Sequence, residues 1–559
     1  MSQSPLVVFP EHEEPIRAEL FSVERLEQHA ESLAAAQTVT ETIGEGRPLL
    51  PRVLENGRVL LEYYQATAKA ISREQAITPA AEWLVDNFYI VEEQLREIRD
   101  DLPPGFYRKL PKLSAGPLEG YPRVYGVAWA YVAHTDSRFD PEILRRFIAA
   151  YQRVQPLTIG ELWAVAITLR VVLVENLRRV SERIVRSRVA REEADRIADS
   201  LLGTGGPAPV APAAVLRSLE SKPLDRAFAV QLVQRLRDLD PRVGPILLWL
   251  DERLSAQGSS ADEVVRAEHQ EQAAMSVTVR NIITSMRLTS AFDWQTFFES
   301  VSLVDEILRE GSNFGGMDFE TRDQYRHAIE DLSRGSRFSE IEVARRAVQR
   351  AKTGSAEPQR NGQPGDNKKS DPGFYLISQG RLSFERELNF KLLWRRWALR
   401  LYVRAAIPGY LSTIALLTAI IAAIPVIHAQ ELGLSTKYLV LFSLLAIVPA
   451  SDLAIALINR VVTDLLGPRP LPRMDFRAGV PADFRAMVVV PTLLTSQEFV
   501  KEQVERLEIH YLANPDGDLR FALLSDWADA LNETEPGDEE LLESAYEGIS
   551  ALNQRYGPV

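Results

Sequence analysis

Two polar side chains near the C-terminal end of the sequence stand where a ligand site would need them. Met487 to Val490 is a fully apolar run followed closely by Thr492, and a second apolar run, Leu519 to Leu524, is followed by Asp526. The segment between them, Ser496 to Leu512, has a helical pattern, so the order strand, helix, strand predicts the beginning of a parallel α/β sheet. Ligands of such sheets bind beyond the carboxyl ends of the strands, which places Thr492 and Asp526 at the mouth of a site.

Asp526 is a candidate to accept hydrogen bonds from a base or a ribose; the alternative is that it caps the turn after its strand. A second acidic pattern, Asp516-Gly517-Asp518, matches the D-x-D motif, whose carboxylates can bind a divalent metal. It precedes an apolar run and follows Asn514-Pro515, a composition typical of turns. We interpret the triplet as a turn and predict no metal ligand in this chain.

Asp452 is chemically unusual because it lies within one of two long apolar segments. Ala405 to Ile427 contains no charged residue and is long enough to cross a hydrocarbon core of roughly 30 Å, and Tyr438 to Ile458 is of the same length class. A carboxylate within a span is costly unless it is paired or hydrated, which makes Asp452 a functional candidate. The alternative is a position near the cytoplasmic end, hydrated or paired with Arg460.

Basic residues flank this predicted hairpin on both outer sides, which places both of its ends in the cytoplasm by the positive-inside rule. They are Lys391, Arg395, Arg396, Arg400 and Arg404 before the first segment and Arg460, Arg469 and Arg473 after the second. Trp394, Trp397 and Tyr402 are predicted at the level of the lipid headgroups.

Composition narrows the function classes. A net charge of -13 argues against a nucleic-acid binder, and the lack of cysteine excludes disulfides, thiolate nucleophiles and zinc-thiolate sites. The N-terminal residues lack the basic and apolar regions of a secretory signal, so we expect residues 1 to 400 to stay cytosolic.

Residues 1 to 350 are predicted to be a helical cytosolic region, because apolar residues recur at helical spacing. Thr158 and Glu161 form a T-x-x-E capping box ahead of an apolar run that is too short for a third span. The predicted divisions that follow are a flexible linker (351–372), a basic juxtamembrane segment (373–404), transmembrane helices 405–427 and 438–458, an interfacial connection (459–485) and an incomplete α/β domain (486–559).

Five sequence blocks carry a resemblance to a known family. They are VERLEQHAESLAAAQ (23–37), EWLVDNFYIVEEQLREIRDDLPPGFYRKLPKL (82–113), PLTIGELWA (156–164), MDFETRDQYRHAIEDL (317–332) and VVVPTLLTS with LANPDGDLRFALLSDWADA (488–530). Together they resemble cyclic β-1,2-glucan synthases of Gram-negative bacteria over nearly the whole chain.

The resemblance implies the N-terminal part of an inner-membrane enzyme that polymerises glucose from UDP-glucose. The implied fold class is mainly α: a helical cytosolic region, two transmembrane helices and the start of a GT-A-like α/β domain. Asp526 and Thr492 resemble early nucleotide-sugar contacts of such transferases. A divalent metal, Mg or Mn, is expected for the complete enzyme, with its ligands in the remaining part of the synthase polypeptide.

Two other interpretations stay open at this stage. The chain could be a non-catalytic membrane scaffold with a helical interaction domain, or a cellulose-synthase-like transferase of different linkage. The second of these does not explain the helical blocks before residue 340.

Overall fold

A computed structural model describes most of the chain, and its helices and strands form two compact units, Met1–Glu306 and Ile307–Val559. The residues described are 13–40, 46–75, 77–102, 104–204, 210–219, 224–237, 244–256, 258–355, 366–391, 394–466, 470–477, 479–514, 517–533 and 535–557. The first unit ends before the predicted boundary at residue 350. The described residues are mainly helical, as the sequence predicts.

The described helices α1 to α13 lie in the first unit, and α14 contains the boundary between the two units. They are α1 (Val23–Ala36), α2 (Leu49–Ile71), α3 (Pro79–Asp86), α4 (Phe88–Asp101), α5 (Pro104–Lys109), α6 (Arg123–His134), α7 (Pro141–Val154), α8 (Ile159–Leu202), α9 (Pro212–Leu219), α10 (Arg226–Leu236), α11 (Gly244–Ala256), α12 (Ala261–Ala291), α13 (Trp294–Val301) and α14 (Leu303–Gly311). Strands β1 (Val39–Thr40) and β2 (Lys112–Leu113) form a short antiparallel pair.

The long helix α8 is the centre of the first unit, with α2, α6, α10 and α12 packed around it. The Thr158 hydroxyl accepts a hydrogen bond from the Glu161 backbone N–H at 3.2 Å, and the Glu161 carboxylate accepts one from the Thr158 N–H at 2.9 Å. The predicted capping box is therefore confirmed. The helix ends at Gly203, whose φ of 72° is the left-handed conformation that glycine adopts without a steric penalty.

The second unit contains the remaining helices and strands. They are α15 (Phe319–Arg334), α16 (Glu340–Ser355), α17 (Pro372–Leu376), α18 (Arg381–Glu387), α19 (Trp394–Arg404), α20 (Ala406–Glu431), α21 (Thr436–Leu466), β3 (Ala486–Leu494), α22 (Gln497–Ala513), β4 (Leu519–Trp527) and α23 (Asp538–Tyr556). Short 3₁₀ turns lie at Asn313–Gly316, Asp366–Ser370 and Ala482–Phe484.

The structure differs from the predicted flexible linker at both of its ends. Helix α16 continues to Ser355, and Ala351 within it is fully buried. A 3₁₀ turn occupies Asp366–Ser370, and Pro372 begins α17. Glycine and proline composition suggested a linker, but here proline stands at a helix start, where its missing N–H costs nothing. Residues 356–365 of the predicted linker lie outside the described part.

Helices α20 and α21 contain the two predicted apolar segments and pack on each other as a hairpin. Both are long and apolar enough to cross a membrane, and they are the two helices of that kind among the described residues. Their surface is almost entirely exposed, unlike that of an apolar helix in a soluble core. Buried residues on α21 recur at every fourth position, Ala450, Ala454 and Ile458, and this line forms the seam against α20.

Candidate functional site

The strand, helix, strand order predicted after the hairpin is confirmed. β3 and β4 pair in parallel, with Thr492 opposite Ser525 and Leu493 opposite Asp526. The connecting helix α22 starts at Ser496, whose hydroxyl accepts a hydrogen bond from the Phe499 N–H at 3.2 Å. Parallel pairing brings the ends of both strands to one edge of the sheet, as a ligand site requires.

Thr492 and Asp526 lie at this edge but on opposite faces of the sheet. Side chains alternate along a strand, and residues paired in register share a face, so Thr492 points with Ser525 and Asp526 points with Leu493. Thr492 is buried, and its hydroxyl donates to the Val490 carbonyl at 3.3 Å. Their roles as nucleotide-sugar contacts stay predictions, and one ligand group cannot touch both side chains on a single face.

The face of Thr492 is covered by helices. Leu494, two residues further along β3, packs with Val500 of α22 and Ala545 of α23 in a small apolar cluster, which Trp527 and Leu541 border. Thr492 therefore faces the inside of this layer.

The face of Asp526 is open. The Asp526 carboxylate is exposed and accepts a hydrogen bond from the adjacent Trp527 N–H at 2.9 Å. Large apolar side chains share this face: Val489 is 44% exposed, Leu493 54% and Leu524 63%. An acceptor at the end of an exposed apolar strip can hold the edge of a planar ring while the strip covers its face. Of the two predicted residues, Asp526 is the exposed one.

The D-x-D triplet is partly described, because Asp516 lies outside the described residues. Asp518 forms an ion pair with Arg485, at 3.5 Å between Oδ1 and Nε. Gly517 has a φ of 61°, and a Cβ at this position would meet the Val480 carbonyl oxygen at 2.5 Å. A glycine is therefore needed for the turn, and the Asp518 charge is balanced by a guanidinium. Both observations favour the turn interpretation.

Asp452 lies away from the seam of the hairpin. It is two residues from both Ala450 and Ala454, which on a helix places its side chain about 160° around the axis from them. It is exposed, and Arg460, its suggested partner, pairs with Asp464 at 2.9 Å. The structure therefore does not contain the Asp452–Arg460 pair, and a hydrated Asp452 near the cytoplasmic end stays a prediction. Within the described part of the chain, Asp452 has no ion-pair partner.

A cluster of buried charge lies in the first unit, among residues for which the sequence predicted no site. The fully buried Glu175 carboxylate of α8 accepts hydrogen bonds from Arg52 and Asn56 of α2, each at 2.6 Å, and from Arg179 at 2.8 Å. Burial alone would raise the pKa of Glu175, but the hydrogen bonds and charge of Arg52, with the charge of Arg179, hold that pKa at about 2. The carboxylate is fully satisfied, so it joins α2 to α8 and is not free for catalysis.

Aromatic and acidic residues stand side by side in α3 and α4 and could suggest a site. Trp83 is 38% exposed and Tyr89 59%, whereas Phe88 beside them is buried. The nearby acids Asp86, Glu92 and Glu93 are exposed.

Comparison with known proteins identifies a relative of this chain. Over 554 residues, 98% of this chain, it is 37% identical to the cyclic β-(1,2)-glucan synthase NdvB of Rhizobium meliloti (strain 1021). Over this length the chain belongs to the cyclic β-1,2-glucan synthase family. The resemblance predicted from the sequence blocks is thus confirmed. The chain spans about a fifth of the relative's length, the aligned stretch being 19% of it, and no family model matches the chain.

Proposed function

We propose that this chain is the N-terminal part of an inner-membrane glucosyltransferase that polymerises glucose from UDP-glucose into cyclic β-1,2-glucan. The observation that carries the proposal is the identity to a cyclic β-(1,2)-glucan synthase over almost the whole chain. The parallel strand pair with Asp526 on an exposed face at its carboxyl edge is consistent with a nucleotide-sugar site.

In this proposal α20 and α21 cross the membrane with both ends of the hairpin in the cytoplasm. The basic residues on either side of the hairpin support that orientation. The sheet then lies on the side where UDP-glucose is available. The growing glucan and the remaining part of the synthase polypeptide are the other partners.

Asp526 is the residue we assign to the uridine. A carboxylate accepts hydrogen bonds from the N–H of the base or from ribose hydroxyls, and no described guanidinium neutralises it. Thr492, on the covered face, supports the strand end and reaches the nucleotide only if the layer rearranges.

The divalent metal expected of the complete enzyme does not fit the described residues. They include no group of three or more histidine or acidic side chains placed to hold a metal, and Asp518 is paired with Arg485. We therefore assign no step to a metal here and propose that this chain alone does not transfer glucose.

A chimera tests the proposed function. Residues 1–559 replace the matching stretch of the Rhizobium meliloti synthase, and membranes from cells lacking their own synthase receive radiolabelled UDP-glucose. We expect labelled cyclic β-1,2-glucan from the chimera and none from the purified chain alone. Glucan or released UDP from the chain alone would contradict its predicted inactivity, and an inactive, stably inserted chimera would contradict the family function.

The same chimera tests Asp526. Asp526→Asn removes the charge while keeping the shape, and we expect the KM for UDP-glucose to rise by about tenfold, the loss of one charge-assisted hydrogen bond. Asp529→Asn is the matched control, because Asp529 is also exposed and lies just beyond the strand. Equal KM values for the two variants would remove Asp526 from the site.

A further inference from the structure

Helix α19 connects the folded helices of the second unit to the apolar hairpin. Its sequence, WRRWALRLYVR, holds four arginines and no acidic residue, which makes it too polar to cross a bilayer. Ala405 alone separates it from α20, with φ and ψ of -91° and 31° that interrupt the helix there. The helical conformation is therefore interrupted where the apolar segment starts.

Several large apolar side chains of α19 have no cover. Trp397 is 59% exposed, Leu399 42% and Leu401 53%. An isolated helix of fewer than about 12 residues is only marginally stable in water, so α19 needs a surface on which to bury these side chains. Because α20 follows directly, the bilayer surface is the apolar phase within reach.

One arginine of α19, Arg400, connects this helix to α18. Arg400 donates two hydrogen bonds to the Glu385 carboxylate of α18, both at 2.6 Å, and Arg381 donates a third at 3.1 Å. α18 itself is anchored by Phe384, which is fully buried. The bidentate pair holds α19 against a folded element, so its orientation is set before it meets a membrane.

Two other cations have no ion-pair partner among the described residues. Arg404, at the end of α19, and Lys391, just before it, are exposed and pair with no carboxylate anywhere in the described ranges. On the helix, Arg404 lies within about 20° of Trp397 and 60° of Leu401, since each residue advances the helix by about 100°. A free guanidinium beside exposed tryptophan and leucine side chains is the pattern of a helix that lies at a charged membrane surface.

We propose that α19 lies in the plane of the membrane surface and binds the phosphate groups of anionic phospholipids through Arg404 and Lys391. The inference rests on the proposed function in one respect, the insertion of the hairpin. Trp397 and Leu401 enter the boundary between headgroups and acyl chains, while Arg400 keeps its bond to Glu385. The anionic lipid thereby sets the height of α18 above the bilayer.

The chain has no cysteine, so single-cysteine variants give clean spin-label sites. The full chain is placed in nanodiscs of phosphatidylcholine with increasing phosphatidylglycerol, and a spin label is attached to the Leu401→Cys variant. The depth of the label is measured from its collision rates with oxygen, which concentrates in the bilayer, and with a nickel chelate, which stays in water. Leu416→Cys in α20 is the reference for the bilayer interior, and Leu542→Cys on α23 is the reference for water. We expect the Leu401 label to move into the membrane as phosphatidylglycerol increases.

Charge variants separate headgroup binding from simple apolar insertion. Arg404→Gln or Lys391→Gln should raise the phosphatidylglycerol fraction needed for half immersion by about fivefold each, the contribution of one cation near an anionic surface. Arg506→Gln on α22, also exposed, should change nothing.

Three results would overturn the proposal: a Leu401 label that stays in water, immersion that is equal in pure phosphatidylcholine, or release of the label by inorganic phosphate. A Leu416 label outside the bilayer would instead refute the spanning hairpin and with it the membrane part of the proposed function. A deep Leu416 label with Leu401 in water refutes the lipid inference alone.

Discussion

One carboxylate of the first unit, Glu175, differs in burial and pairing from two carboxylates of the second unit, Asp452 and Asp526. In the first unit, Glu175 is fully buried and receives hydrogen bonds from Arg52, Asn56 and Arg179. In the second unit, Asp452 and Asp526 are exposed, and no described cationic side chain pairs with them. A buried carboxylate must be satisfied for the fold to form, whereas one that binds a ligand must remain available. The difference separates a carboxylate used for stability from candidates for function.

The largest effect expected from this comparison is at Glu175. Glu175→Ala removes the fully buried carboxylate that Arg52 and Arg179 share and leaves these partly buried arginines only their ion pairs with Glu13. Breaking a buried pair costs about 3–5 kcal/mol, and because Glu13 remains we expect the lower end of that range. Hydrogen exchange of the full chain in detergent, followed in peptides of α2 and α8, should show the loss of protection. Glu62→Ala is the control, because Glu62 pairs with Arg58 on the surface, where a pair is worth less than about 1 kcal/mol.

Acid should weaken the first unit through the same residue. The folded pKa of Glu175 is about 2, below its ordinary value of 4.5, so its stabilisation is complete above pH 4.5 and is lost as the pH falls toward 2. A shift of this size corresponds to about 3 kcal/mol. Exchange protection of α2 and α8 should fall across this range in the wild-type chain. The same slope in Glu175→Gln would assign the acid sensitivity to other groups.

Matched leucine truncations compare the packing of the two units. Leu60 of α2 and Leu494 of β3 are both buried, at 0% and 2% exposure. Leu494 packs in a small cluster beside an open sheet face, which can collapse around a cavity more easily than the centre of a helical unit. We expect Leu60→Ala to cost about 4 kcal/mol and Leu494→Ala about 2 kcal/mol, within the usual range for such cavities. Equal losses of local exchange protection would show that the two layers are equally rigid.

The sequence was a good guide where local patterns determine the structure. Thr158 and Glu161 predicted the start of α8, and two apolar runs around a helical segment predicted a parallel strand pair. Local patterns do not report which face of a sheet is covered. Thr492 and Asp526 could therefore be placed at one edge but not on their separate faces, since one residue along a strand reverses the face.

Long-range partners were also beyond the sequence. Glu175 and Arg52 are 123 positions apart, and nothing in the residues around either one indicates the other. Asp452 is an example of a partner wrongly suggested by the sequence. Arg460 is close enough along the chain to suggest an ion pair with Asp452, but Arg460 pairs with Asp464, one helical turn beyond it. Sequence spacing predicts the ion-pair partner of an arginine on a helix only when every acidic residue within reach of it is considered.

The smallest expected effect is on the open face of the sheet. Leu524 is 63% exposed beside Asp526, so Leu524→Ser removes little buried area, and we expect stability to change by less than about 0.5 kcal/mol. In the active chimera, by contrast, the same substitution should weaken UDP-glucose binding if this strip covers the uracil ring. Exchange protection of β4 in the chain and KM in the chimera measure the two effects separately. A stable chimera with unchanged KM would show that the apolar strip does not contact the nucleotide, so that Asp526 alone would remain as the candidate contact. A large loss of protection in β4 would instead show that Leu524 is covered in the folded chain by residues outside the described part.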